Sequence, residues 1–174
     1  MDRTTATLSL TPTSVIVLGL LERAGEATPY DLKAMVAASV GNFWSVPHSA
    51  IYAEAQRLAG AGYLDERRES GGRRRRIYTL TEGGSRALSQ WCDEPTAALP
   101  ELRDLALLKV FFGADLARIA VNQLDAHREK LSRYEDQRAE DDGRGPRGPA
   151  LTLEAGIGHE REWVNYWERL ANGM

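Results

Sequence analysis

A chain of 174 residues, 43% hydrophobic and 27% charged, is long enough for one ordinary domain or two small ones and too apolar to stay disordered as a whole. Its net charge of −3 lends no support to nucleic-acid binding by the chain as a whole, but the charge is uneven: residues 1–95 carry 11 basic and 11 acidic side chains, residues 96–174 carry 11 and 14. One cysteine, Cys92, excludes an intrachain disulfide, no basic start with an apolar run opens the chain, and no apolar stretch approaches ~20 residues, so a cytoplasmic protein without a membrane partner is expected.

Residues 1–12 read as a flexible N-terminal arm, mostly Thr and small residues. Thr11-Pro12 then starts a helix over residues 12–23, with Thr as cap and Pro at the first helical position. Val15, Leu18 and Leu21, or Ile16, Gly19 and Leu20, give it a broad apolar face, and Gly25 closes it. Thr28-Pro29-Tyr30-Asp31 repeats the start signal, with Asp31 three residues past the cap, where a carboxylate reaches back. That helix runs to about Ser39, with Leu32, Met35 and Val36 inward. Gly41-Asn42-Phe43-Trp44 is a connector whose two aromatics are expected to plug an edge of the core, with a ligand contact for Trp44 as the lesser alternative.

The stretch 45–64 is the one around which the rest is organised. Ser45, Pro47 and Ser49 sit where a helix should start. Ile51, Ala55 and Leu58 fall at i, i+4 and i+7 and make one apolar face. Ser49, Tyr52, Ala53 and Gln56 make another, uncharged and hydrogen-bonding, which suits base edges and phosphates. Gly60 and Gly62 end the helix. Alone, this reads better as an ordinary surface helix leading into a hairpin. Its neighbours favour a recognition helix. Residues 63–68 and 76–80 read as two short strands joined by a Gly-rich turn with a basic tip, a wing. Thr81-Glu82 caps a further helix to about Cys92, with Ala87, Leu88 and Trp91 on its apolar side and Cys92 a buried thiol.

The order helix, helix, helix, strand, strand, helix suits a winged helix-turn-helix. The segments Thr28-Pro29-Tyr30-Asp31-Leu32, Gly41-Asn42-Phe43-Trp44, His48-Ser49-Ala50-Ile51-Tyr52, Arg57-Leu58, Gly62-Tyr63-Leu64 and Arg76-Ile77-Tyr78-Thr79-Leu80-Thr81-Glu82-Gly83-Gly84 resemble the PadR family of bacterial transcriptional regulators over residues 13–95. Ala55 stands where a Leu is usual, and Pro29 where a Gly is usual. Leu107-Leu108-Lys109-Val110-Phe111-Phe112 and the last, Trp-bearing helix look like the subfamily with a virulence-activator-type C-terminal domain.

From Leu102 the chain is helical again. Leu105, Leu108 and Phe112 mark a strongly apolar helix that ends near Gly113. A long helix follows over residues 114–142, with Ala120, Leu124, His127, Leu131 and Tyr134 as a coiled-coil-like seam. Residues 140–149 are a linker too rich in Gly and Pro for a helix. In a last helix over residues 150–171, Leu153, Ile157, Val164, Trp167 and Leu170 face one way, with Trp163 and Tyr166 beside them. The expected fold is therefore mainly α with a small β-hairpin: a winged helix-turn-helix over residues 13–95 and a helical dimerisation domain over residues 96–174. Leu124, Leu131, Val164, Trp167 and Leu170 are the dimerisation candidates.

Arg73, Arg74, Arg75 and Arg76 are the strongest nucleic-acid signal, because arginine holds phosphates bidentately at a tip that can reach the minor groove or backbone. The resemblance implies DNA contact for Ser49 and Tyr52. Tyr30, at a helix start, suits either a phosphate or packing on the recognition helix. His48 suits a turn or a phosphate, and Gln56 can read adenine. Arg57 can instead pair with Glu54 or Glu66. His48, His127 and His159 are too scattered for a metal, no acid–base or nucleophile set appears, and no cofactor is expected. The reading is a DNA-binding repressor, not an enzyme, acting as a homodimer on near-palindromic double-stranded DNA. The resemblance further implies release by a small, often aromatic, effector; Trp91, Trp163 and Trp167 are placed to line its pocket or to serve as interface core. A winged-helix module for protein–protein assembly is the rival, supported by the neutral charge of residues 1–95.

Overall fold

The computed structural model describes residues 9–69 and 75–173. The chain divides into two compact units, residues 1–97 and 98–174. The N-terminal arm falls largely on residues 1–8, outside the described residues.

In the first unit, helix α1 (Pro12–Ala24) begins at a reciprocal capping box: Ser14 N–H donates to Thr11 Oγ1, and Thr11 N–H donates to Ser14 Oγ at 2.7 Å. Gly25 ends it at φ 78°, a left-handed conformation that favours glycine. The two-residue strand β1 (Glu26–Ala27) follows, then α2 (Pro29–Ala38), whose Thr28–Asp31 box forms as its sequence predicts. A 3-10 turn (Val40–Asn42) leads to α3 (His48–Gly60). Strands β2 (Leu64–Arg68) and β3 (Arg76–Leu80) form an antiparallel hairpin with Glu66 opposite Tyr78 and Arg68 opposite Arg76. Strand β1 pairs with the other edge of β3, giving the order β1-β3-β2. That third strand carries no sequence signal, because two residues show no period. Helix α4 (Glu82–Asp93) starts at Thr81, whose hydroxyl accepts from Gly84 N–H at 3.0 Å.

The core of this unit is one cluster from α1, α2, α3, α4 and the sheet, centred on Val17, Leu18, Leu21, Leu32, Ile51, Leu58 and Tyr78. Phe43 and Trp44 do not join it; both stand exposed, against the expectation that they plug a core edge. Three start signals sit on fully formed caps, but the fourth does not. The α3 helix is preceded by Pro47, and neither Ser45 nor Ser49 caps it.

The second unit contains α5 (Leu105–Phe111), α6 (Leu116–Glu140) and α7 (Arg147–Ala171). Asp104 caps α5 by accepting from Ala106 N–H and Leu107 N–H, and Asp115 caps α6. Arg128 meets Glu168 and Glu135 meets Arg161, so α6 and α7 run antiparallel. Ala106, Ala120, Leu124 and Trp167 form the core of the unit, with Val164 and Leu170 packed on it. Gly148 and Pro149, expected in the linker, lie inside the first turn of α7, where a missing N–H costs no helical hydrogen bond. Among the described residues no helix is long and apolar enough to cross a membrane.

Candidate nucleic-acid interface

One stripe of α3, formed by Ile51, Ala55 and Leu58, is buried against α1 and α2. The same stripe holds a carboxylate, Glu54. Its Oε1 accepts from Ser14 Oγ of α1 at 2.5 Å, and Arg57 Nε donates to Oε2 at 2.9 Å. Arg57 also reaches Ser14 Oγ at 2.9 Å. The Arg57 hydrogen bond holds the Glu54 carboxyl below its ordinary range, against burial and with help from Ser14. Of the two partners the sequence left open for Arg57, the structure takes Glu54. This network fixes the rotation of α3 about its axis, because burying the carboxylate turns the opposite face outward. Sequence spacing contained that signal: a Glu three residues after Ile51 stands inside an apolar stripe.

The outward face carries His48, Ser49, Tyr52 and Gln56, all exposed. They recur at helical spacing, so one side of α3 offers a hydroxyl, a phenol, an imidazole and an amide without a fixed charge. The first N–H groups of α3 receive no side-chain cap, leaving donors at this end for an anion. Tyr30 is exposed at the start of α2. Beside it, Asp31 is held below the usual carboxylate range by hydrogen bonds from the Thr28 backbone and hydroxyl, and by the charge of Arg75.

At the wing, the Glu69 N–H donates to the Arg75 carbonyl at 3.1 Å across the hairpin. Arg73 and Arg74 lie outside the described residues. Arg75 is exposed and makes no ion pair among the described residues. Arg76 pairs with Glu66 at 3.4 Å, Arg68 with the same carboxylate at 3.1 Å, and Arg67 with Glu26 of β1 at 3.0 Å. Tyr78 donates its hydroxyl to Glu66 at 3.1 Å. Burial pushes the Glu66 carboxyl up, but the bonds from Arg68 and Tyr78 and the charge of Arg76 bring it below its ordinary value. Glu66 is therefore a counter-charge inside the basic hairpin, which a count of arginines does not reveal.

The three tryptophans assigned to an effector pocket are divided between the units. Trp91 is exposed near the end of α4, and Cys92 beside it is exposed too, contrary to the buried thiol expected. Trp163 and Trp167 stack on α7 with ring centres 6.1 Å apart, and His127 of α6 stacks on Trp163 at 5.6 Å. Trp167 is fully buried. Glu160, unremarked in the sequence, is buried under this stack, 2.5 Å from His127 Nδ1 and 2.7 Å from Lys130 Nζ. Of the five dimerisation candidates, Leu124 and Trp167 are buried inside their own unit, and Leu131, Val164 and Leu170 are half-buried. Most of this unit's large exposed apolar side chains lie instead on and around α5: Leu99, Leu102, Leu105, Leu108, Phe111 and Phe112.

Comparison with known proteins follows the same division. The profile of the Transcriptional regulator PadR-like family matches residues 17–90, and that of the virulence activator alpha C-terminal domain matches residues 102–173. The negative transcriptional regulator PadR of Bacillus subtilis (strain 168) is 32% identical over 123 residues, which is 67% of each chain. The crystal structure of Bacillus subtilis PadR in complex with operator DNA superposes with a TM-score of 0.82 at 25% identity, covering 96% of this chain and 100% of that one. Its complex with p-coumaric acid gives 0.72 at 26% identity, covering 94% and 97%.

Proposed function

The chain belongs to the PadR-like family of transcriptional regulators, and from that premise we propose that it is a homodimeric repressor that leaves its operator when a small aromatic molecule binds. The family makes it a DNA-binding regulator and not an enzyme. The observation that carries the finer reading is the exposed, uncharged face of α3 in the same unit as an arginine-bearing hairpin. Helix α3 enters the major groove with His48, Ser49, Tyr52 and Gln56 toward base edges and phosphates. Tyr30, with the wing residues Arg73, Arg74, Arg75 and Arg76, holds the backbone. In a two-fold dimer, two copies of α3 reach half-sites about one turn, ~10 bp, apart, so the operator is near-palindromic.

Repression is supported by the negative regulator from Bacillus subtilis, and an aromatic effector by the complex of that protein with p-coumaric acid. In this chain the stacked Trp163 and Trp167 supply an aromatic wall in the second unit, and Trp91 an exposed ring in the first. A gel shift on the DNA upstream of the chain's own gene tests the reading. Salt-sensitive, sequence-dependent binding that a small phenolic acid reverses is expected. Equal binding to every duplex, or none, overturns it.

A further inference from the structure

The turn before α3 displays two aromatic side chains that the core of its unit does not use. Phe43 is 62% exposed and Trp44 47%, although rings of this size each bury about 150–250 Å² when they have a partner. Their backbone is fixed. The N–H groups of Phe43 and Trp44 donate to the Val40 carbonyl at 3.1 and 2.8 Å, and Asn42 Nδ2 donates to the Ser39 carbonyl at 3.0 Å. Gly41 crosses so close to α2 that a Cβ there would stand 2.7 Å from the Val36 carbonyl oxygen. Among the described residues the Trp44 indole N–H has no acceptor.

Trp44 lies four positions before His48, so its Cα lies within about 14 Å of the first residue of α3. A B-DNA major groove is about 12 Å wide. A residue that close to the start of a helix lying in the groove is within reach of the strand that walls it. Indole offers a donor only, which a phosphate oxygen accepts, and an apolar ring face, which a deoxyribose covers. We infer that Phe43 and Trp44 grip the sugar–phosphate backbone of bound DNA beside α3, Trp44 through its N–H to a phosphate and Phe43 by packing on the adjoining sugar. This rests on the reading of α3 as the groove helix, and it adds an uncharged grip to the charged one of the wing.

Fluorescence anisotropy with a labelled duplex from the chain's own upstream region and with a scrambled duplex, between about 50 and 200 mM salt, tests it. Trp44→Ala is expected to weaken both duplexes by a similar factor, roughly tenfold. The slope of log affinity against log salt stays unchanged, because no charge is removed. Trp44→Phe, which keeps an aromatic ring but loses the N–H and part of the ring area, falls between, and it carries the test if the alanine variant melts earlier. Affinity equal to wild type in both variants overturns the inference. So does a loss confined to the upstream duplex, or a change in oligomeric mass that accounts for the loss and marks the rings as a protein contact. If the wild-type chain binds neither duplex, the reading of α3 itself fails.

Discussion

The Ser14 hydroxyl on α1 donates to the Glu54 carboxylate on α3 across 2.5 Å, tying the buried first helix to the one whose other face is offered to DNA. Ser14 is fully buried, so Ser14→Ala leaves a carboxylate oxygen short of a donor with little water to replace it. A loss of about 2 kcal/mol is expected, the size of a hydrogen bond to a charged group. The midpoint of urea unfolding measures it. An unchanged midpoint would show that Arg57 alone satisfies Glu54.

Acid should unfold the protein through two buried carboxylates. Arg57, then Ser14, hold Glu54 low against burial. At Glu160 burial is the larger single influence and pushes upward, but His127 and Lys130 together bring the carboxyl below its ordinary value. Both groups therefore bind a proton more weakly folded than unfolded. Their stabilisation is complete above the unfolded carboxylate range, near about 4.3, and is lost as pH falls through the lower folded values. Unfolding free energy should decline from about pH 5 downward. Glu54→Gln and Glu160→Gln should each make that decline shallower.

Adjacent glycines at the start of α4 predict opposite outcomes. A Cβ on Gly84 would stand 2.2 Å from the Tyr63 carbonyl oxygen and 2.8 Å from Leu80 Cδ1, whereas one on Gly83 meets nothing nearer than Thr81 Oγ1 at 3.6 Å. Gly84→Ala must push the helix off the hairpin, and about 3 kcal/mol or more is expected to be lost. Gly83→Ala is expected to be neutral or to stabilise by about 0.5–1 kcal/mol through helix propensity. Thermal unfolding of the two variants side by side decides the matter.

Local chemistry is what the sequence made legible. Thr11-Pro12, Thr28-Pro29 and Thr81 announce helices because a cap satisfies its own nearby N–H groups. The seam Ala120, Leu124, Tyr134 is legible because helical period alone sets it. Long-range partners were hidden. Nothing near Glu26 says that it pairs with Thr79, nor near Glu66 that it neutralises two arginines. The hydrogen-bond partners of Glu54 and Glu160 lie far along the chain, Ser14 40 residues away and His127 33 residues away. Phe43 and Trp44 are exposed although hydrophobicity predicts burial, because hydrophobicity does not say whether an aromatic faces the core or the surface. The DNA-facing candidates were legible only as types: uncharged polar residues at helical spacing, and a run of arginine.

Replacing Arg73, Arg74, Arg75 and Arg76 with Ala should weaken binding to all sequences alike and lower the salt slope by up to about four per protomer, one for each phosphate no longer neutralised. Glu66 gives the converse. It pairs with both Arg68 and Arg76, so Glu66→Gln releases two cations while keeping an acceptor for Tyr78. Affinity should rise on any duplex and the slope steepen by up to about two per protomer. Anisotropy titrations at several salt concentrations measure both. A Glu66→Gln variant with wild-type affinity would mean that these arginines do not meet phosphate.

The proposed dimer is best tested away from the residues that their sequence pattern favours. Leu124 and Trp167 are buried in their own chain, so Leu124→Ala is expected to cost about 2–5 kcal/mol of stability whatever the oligomeric state. On and beside α5, by contrast, Phe111 and Phe112 are 81% and 77% exposed, edge to face 5.2 Å apart, with Leu105 and Leu108 exposed nearby. Apolar side chains so concentrated mark an association surface, and a two-fold dimer covers the same patch on both copies. Leu108→Ser with Phe111→Ser opens no cavity inside the chain, so far-ultraviolet circular dichroism should be unchanged. Sedimentation equilibrium should show the mass falling to that of one chain, and DNA affinity should fall with it, because two half-sites are no longer held together. If the double variant keeps the mass of two chains, the dimer closes elsewhere, and the half-buried Leu131, Val164 and Leu170 are the next surface to test.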